Sequence, residues 1–185
     1  ERVARDIILE ADIVLNVVDA VHLERDLFLT QQLIDMGKKM VVALNFMDDV
    51  KKHGITIDVN KLSRFLGIEV LPIVAVKRIG FGSLGRAIEE AREGIQRDSL
   101  HSLLHAMLSR VGSQAEALLV LEGDPFVAER HGGPPAMKRD DIYIGRRNRV
   151  NYIINEILDD TANRKNFSGA LGRWVIRPVT GIPIL

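Results

Sequence analysis

Met40-Val41-Val42-Ala43-Leu44-Asn45-Phe46-Met47-Asp48 is the stretch that decides how the rest of the chain is read. Five apolar residues run without a polar break, which predicts a strand buried on both faces, as in a parallel sheet. The run ends in an Asn and an Asp three positions apart. That places two polar side chains at the carboxyl end of a strand, where open α/β sheets hold their ligands. Outward from it, Ile13-Val14-Leu15-Asn16-Val17-Val18 is a second β-branched run, also expected to be buried on both faces. Between the two, Leu23, Leu27, Leu33, Ile34 and Met36 fall on one side of a helix that Gly37 can close. Residues 58–66 predict a short helix closed by Gly67. Residues 68–76 predict a third strand, with Pro72 arguing against a central position. Ser83 is expected to cap a helix bearing Leu84, Ile88 and Ala91. This alternation implies parallel strands joined by crossovers, hence a doubly wound α/β sheet over residues 1–95.

The chemistry of Asn45 and Asp48 points to guanine. That base offers N7 and O6 as acceptors on one edge, and N1–H with the 2-amino group as adjacent donors on another. An Asn side chain can donate to the first edge, and one carboxylate can take both donors of the second. Adenine would leave the carboxylate unpaired, at a cost of about 1–3 kcal/mol. The alternative is an Asx-type turn that merely ends the strand. The next strand end, Ala75-Val76-Lys77, favours guanine: its backbone N–H groups could approach O6 of the same base, and Lys77 could cover its face. No Gly-x-x-x-x-Gly-Lys-Ser/Thr occurs in the chain, and the cluster Gly80-Phe81-Gly82 with Gly85 lacks that spacing and the Lys. The chain is thus expected to read the base without holding the phosphates. It offers no catalytic and no metal-ligating residue of its own, and is expected to be inactive alone.

Beyond residue 95 the strand signal stops. Leu100, Leu103, Leu104, Met107, Leu108 and Val111 follow helical spacing, as do Val150, Ile153, Ile154, Ile157 and Leu158. Gly123-Asp124-Pro125 and Gly132-Gly133-Pro134-Pro135 mark loops between them. A small all-α helical domain is expected over residues 96–165. The 25 basic side chains equal the 25 acidic ones, which argues against a partner recognised by neutralising nucleic-acid phosphates. The absence of Cys excludes disulfides, thiolate metal sites and cysteine nucleophiles. His101 and His105 stand four apart but lack a third ligand, so an exposed helix face is expected there. Lys138, Arg139, Arg146, Arg147 and Arg149 form a basic cluster, expected to be a solvated face or a contact for anionic lipid. Asp19 is expected to cap the following helix, and Glu24 and Arg25 to lie on its exposed or domain-facing side. The chain opens in a helix already under way and closes on an apolar run, so both ends are expected to be cuts. Trp174, Val175, Ile176, Val179, Ile182 and Ile184 suggest an interfacial lead-in to a membrane helix over residues 166–185.

The ordered series Ala11-Asp12-Ile13-Val14-Leu15-Asn16-Val17-Val18-Asp19-Ala20, Leu23-Glu24-Arg25-Asp26-Leu27 and Ala43-Leu44-Asn45-Phe46-Met47-Asp48 resembles the GTPase domain of the ferrous iron transport protein B family. Leu121-Glu122-Gly123-Asp124 resembles that family's helical regulatory domain, and Arg177-Pro178-Val179-Thr180-Gly181-Ile182-Pro183-Ile184 its entry into the first membrane helix. The resemblance implies Asn45, Phe46, Met47 and Asp48 as the guanine-reading segment and Val74, Ala75 and Val76 as the second base loop. Phe46 stands where GTPases favour Lys, and Ala75 where Ser or Thr is usual. The implied fold is the carboxyl-terminal part of a GTPase sheet followed by an all-α domain. The implied ligands are GTP and GDP, with Mg2+ held by parts outside this chain and Fe(II) as the cargo of a membrane region. The implied partner is the protein's own transmembrane domain, with small accessory iron-transport proteins and a homo-oligomer left open. The implied place is the cytoplasmic side of the bacterial inner membrane. Two other readings stand beside this one: a soluble ribosome-assembly-type GTPase fragment, and a non-enzymatic α/β interaction domain.

Overall fold

The computed structural model describes residues 2–158. Its elements are α1 (Arg2–Glu10), β1 (Ile13–Asp19), α2 (Leu23–Asp35), β2 (Lys39–Asn45), α3 (Met47–Lys52), α4 (Val59–Leu66), β3 (Val70–Pro72), α5 (Leu84–Glu89), α6 (Asp98–Val111), α7 (Gln114–Leu121), α8 (Pro125–Arg130) and α9 (Arg139–Ile157). The strands form one parallel sheet in the order β1-β2-β3. The lead-in expected over residues 166–185, and the end of the helical segment beyond residue 158, lie outside the described residues.

β2 lies in the middle and is buried on both faces, as its unbroken apolar run requires. Val42 and Leu44 point into the larger core with α2 and α4; Val41 and Ala43 join Leu71, Ile73 and Ala87 beneath α5. Helices therefore cover both faces of the sheet. β1 departs from the expectation of two buried faces. Val18 and the Asn16–Thr30 hydrogen bond (2.8 Å) face α2, whereas Ile13, Leu15 and Val17 are exposed, Val17 by 60%. β1 is an edge strand, and no described element packs on that side of it. β3 is shorter than expected. Pro72 ends it, consistent with an edge position, and Ala75–Lys77 is a 3-10 turn. α4 begins and ends as its sequence predicts: the Asp58 side chain accepts the Lys61 N–H at 2.8 Å, and Gly67 takes φ +73°. Ser83 makes no side-chain capping bond, contrary to expectation; a 3-10 turn, Phe81–Ser83, leads into α5 instead.

The helical half adds two elements that periodicity had not resolved. α7 is apolar apart from Gln114 and Glu116 and carries Ala115, Ala117, Leu118, Leu119, Val120 and Leu121 into the core. α8 starts at Asp124, whose carboxylate accepts the N–H groups of Phe126 and Val127, with Pro125 in the first turn. α9 lies across α2 and α4. Phe65 packs edge-on against Tyr152, and Phe28 lies 4.4 Å from Tyr143 between ring centres.

A polar seam crosses this interface. Asp35 ends α2, where the helix dipole disfavours a carboxylate, and it is fully buried. Arg146, 2% exposed, reaches Asp35 at 3.0 Å and Glu122 at 2.6 Å, and Arg97 adds a third contact to Asp35 at 3.3 Å. The basic cluster is thus divided: Lys138, Arg139 and Arg147 are exposed as expected, whereas Arg146 is not on a solvated face. Arg146 is buried in ion pairs, Arg147 pairs with Glu24 at 3.1 Å, and Arg149 donates to the Phe65 carbonyl. Burial pushes the Asp35 carboxyl above the ordinary carboxylate range, against the pull of Arg146 and Arg97. Replacing Arg146 by Met removes the cation between two carboxylates and is expected to cost about 3 kcal/mol of unfolding free energy at neutral pH. A raised folded-state pKa contributes stability that is present below the unfolded value of about 3.9 and lost as pH rises. Without the pull of Arg146 the Asp35 carboxyl is raised further, so the variant loses more stability than the unchanged protein as pH rises, and its deficit is expected to be larger at pH 8 than at pH 5 in denaturant melts.

Candidate guanine-reading site

The carboxyl ends of β1, β2 and β3 meet at one place, and Asn45 is the residue through which they are joined. Asp19 stands opposite Asn45 in the β1–β2 register, and the Asn45 carbonyl accepts the Ala20 N–H at 3.0 Å. Ile73 donates to the Leu44 carbonyl at 2.8 Å, which lays the chain leaving β3 alongside. The Asn45 side chain, 9% exposed, then crosses to the third strand's loop: its Oδ1 accepts the Ala75 N–H at 3.0 Å. That bond fixes the amide, since an oxygen engaged by a backbone N–H leaves Nδ2 as the donor end. Asn45 bonds across to another strand end rather than to its own turn, so it does not form the Asx turn.

The Asn45-to-Asp48 segment is not a simple loop. Phe46 adopts a left-handed backbone, φ +64°, uncommon for an aromatic residue, and is partly exposed. The reversal turns the chain into α3, which sequence reasoning missed because six residues carry too little periodicity to reveal it. Asp48 sits in the first turn of α3 and Met47 opens it. The Asp48 carboxylate faces the second loop, where Lys77 Nζ lies 2.6 Å from Oδ2. The ammonium holds the Asp48 carboxyl below the usual carboxylate range.

The second loop, residues 74–79, is closed on itself. Val74 and Ile79 exchange both backbone hydrogen bonds, and Arg78 takes φ +54°. Gly80 follows at φ +88°, and a Cβ there would collide with the Pro72 carbonyl oxygen. Ala75 and Lys77 face Asn45 and Asp48, while Val76 points to solvent. Seven residues were expected at this site. Asn45 and Ala75 are in direct contact, and Asp48 is joined to the second loop through Lys77; Phe46, Met47, Val74 and Val76 form the backbone that carries them. The contact of Lys77 with Asp48 had no signal in the residue pattern, which had set Lys77 over the face of the base. Asp19 accepts the Val21 N–H at 2.8 Å and contacts the His22 ring, but His22, not Asp19, is the residue that precedes α2. His101 and His105 are exposed on α6 with stacked rings, as expected.

The comparisons with known proteins concern the family and the fold. Residues 1–88 match the family model of ferrous iron transport protein B. The Fe(2+) transporter FeoB of Legionella pneumophila (strain Paris) is 48% identical over 88 residues, which are 48% of this chain and 12% of the relative. That of Escherichia coli (strain K12) is 29% identical over 204 residues, covering 95% of this chain and 26% of the relative. The chain thus spans about an eighth to a quarter of the length of these relatives. Among solved structures, the cytosolic domain of the T. maritima FeoB iron transporter in its GMPPNP form aligns with TM-score 0.73 at 27% identity, covering 86% of this chain and 73% of that one. The cytosolic domain of L. pneumophila FeoB aligns with TM-score 0.72 at 26% identity, covering 86% and 73%. The family resemblance read from the strand ends therefore extends through the helical half of the fold.

Changing Asn45 to Ala leaves the Ala75 N–H without its acceptor. The expected cost is about 1–2 kcal/mol in denaturant unfolding, with faster amide hydrogen exchange at Ala75 than in the unchanged protein. Changing Gly80 to Ala is expected to cost about 2 kcal/mol or more, because it adds a left-handed backbone penalty to the collision with Pro72. Full retention of stability in both variants would mean that the second loop is not held as described.

Proposed function

We propose that this chain is the base-reading part of a GTPase domain, followed by its helical regulatory domain, in a bacterial Fe(II) membrane transporter. The observation that carries this is the joined pair of loops at the strand ends. Asn45 turns its Nδ2 outward as a donor for N7 or O6 of guanine, and the Asp48 carboxylate stands beside it as the acceptor for N1–H and the 2-amino group. Phe46 and Met47 supply the backbone of the first loop, and Val74, Ala75 and Val76 that of the second. GTP and GDP are the ligands. The chain's residues fit the base and offer no cradle for phosphates, so Mg2+ and the phosphates are assigned to residues outside this chain. The uncovered side of β1, with its free edge and exposed Ile13, Leu15 and Val17, supports packing by a further strand and helix of the same domain.

The division is 1–95 for the GTPase part, 96–165 for the helical domain and 166–185 for the approach to the membrane. No helix among the described residues is long and apolar enough to cross a membrane. Fe(II) is the cargo of the transmembrane domain, this portion lies on the cytoplasmic side of the inner membrane, and small accessory proteins and a second copy are candidate partners. Nucleotide state would reach the helical domain through α2. At one end the Asp26 carboxylate accepts the Asp19 N–H, beside Asn45, and at the other Asp35 and Gln32 bond Arg146, Arg97 and Glu122. α1 adds a second link, Arg5 to Asp124 at 2.8 Å. Such a two-ended rod passes on a change when its two ends prefer different positions in the two nucleotide states.

Titration of the full-length protein with GDP tests the base reader. Asp48→Asn is expected to weaken GDP at least ten-fold, since it removes a charged acceptor from two donors. Equal affinity in the two proteins would overturn the reading. The 185-residue chain alone is expected to show no GTP turnover above background in a phosphate-release assay.

A further inference from the structure

Resting on the base-reading assignment above, we propose that Lys77 is a specificity residue that lowers the preference for guanine over hypoxanthine by occupying one oxygen of the Asp48 carboxylate. The geometry is direct. Lys77 Nζ and Asp48 Oδ2 are 2.6 Å apart, between two loops that are fixed by other bonds: the first by the left-handed turn at Phe46, the second by the Val74–Ile79 pairing, and the two to each other by the Asn45–Ala75 bond. Neither loop needs the ion pair to hold its shape. The pair is also accessible, with Lys77 about half exposed and Asp48 about a fifth, so a base can compete for it. The low-lying Asp48 pKa agrees with an ammonium in place on a charged carboxylate.

Guanine presents two donors to Asp48, N1–H and the 2-amino group, and the bidentate pair requires both carboxylate oxygens. Lys77 must leave Oδ2 before that pair can form. Hypoxanthine has N1–H but no 2-amino group. It can donate to Oδ1 while Lys77 remains on Oδ2. The cost of displacing the ammonium therefore falls on guanine alone and is subtracted from the discrimination that the 2-amino group would otherwise give. In apparent affinity the protein behaves as if only the fraction with a free carboxylate were competent for guanine. Once displaced, the four-carbon stem of Lys77 is free to lie along the apolar face of the bound base.

The test compares GMP and IMP, which share one phosphate, so contributions from the phosphate cancel in the ratio of their dissociation constants. Amide shifts at Asn45, Asp48 and Ala75 in the 15N-labelled chain report binding in the unchanged protein, in Lys77→Met and in Lys77→Arg. Met keeps an apolar stem and loses the cation; Arg keeps the cation. Exposed ion pairs are weak, so the expected effect is modest: Lys77→Met tightens GMP about three-fold and leaves IMP unchanged, raising the preference by the same factor. Lys77→Arg is expected to keep the original ratio. Raising ionic strength should move the unchanged protein toward the Lys77→Met ratio and leave Lys77→Met where it is. A GMP-to-IMP ratio that is the same or lower in Lys77→Met, with both ligands shifting the three amides, overturns the role of Lys77 and leaves the base reader standing. GMP that shifts none of the three amides in any of the proteins overturns both.

Discussion

The bond between the Asn45 side chain and the Ala75 N–H holds two loops in one frame, and the site depends on it. Three parallel strands bring three loops near one another but do not fix the angle between them. Asn45 does so twice: through its main-chain carbonyl to Ala20 on the β1 side, and through its side-chain carbonyl to Ala75 on the β3 side. A buried amide is costly unless both ends are used. The oxygen is used within the protein, and the amide nitrogen is presented to a ligand edge. One residue thus ties the scaffold together and sets the hydrogen-bonding polarity of the site.

The helical half shares an apolar core with α2 and α4, and an ionic seam is added to it. Its own interior is ordinary apolar packing, dense enough in α7 that six of its eight residues are buried. Its seam with α2 is ionic, with Arg146 between Asp35 and Glu122 and Arg97 alongside. Apolar packing tolerates small sliding, whereas a buried ion pair is intolerant of separation, because each charge left behind is stranded in low dielectric. The same four side chains therefore fix where α9 sits on α2 and make intermediate positions unfavourable. Asp35 Oδ1, Arg97 Nε and both amide atoms of Gln31 are buried without a protein partner. The seam is thus incompletely satisfied, as expected of an interface held by registry and not by maximal stability.

Much of this was legible in the residues. The unbroken run at 40–44 gave β2 and its central place, Asp58 and Gly67 bounded α4, and Asn45 with Asp48 marked the site. The misreadings share one cause. Periodicity reports which residues are apolar, and does not say what covers them. The apolar run at 68–76 predicts one long strand, but Pro72 and the left-handed Arg78 divide it into a three-residue strand and a tight turn. The β-branched run of β1 predicts burial on both faces, yet one side has no neighbour among the described residues. A cluster of arginines reads as a wet surface until the fold brings Asp35 beneath it, 111 residues away in sequence. Phe46 lacked even a weak signal, because a left-handed aromatic residue is required by the path of the chain and not by its own preference.

The bare side of β1 affects how the polypeptide behaves in solution. Its outer edge presents main-chain donors and acceptors in register, beside a row formed by Ile13, Leu15 and Val17, with neither a charged residue nor a proline in the strand until Asp19. Unprotected edges of this kind recruit strands from other molecules. Left uncovered, this side would make the chain concentration-sensitive, and self-association would begin at β1 and not at the nucleotide loops or the helical bundle.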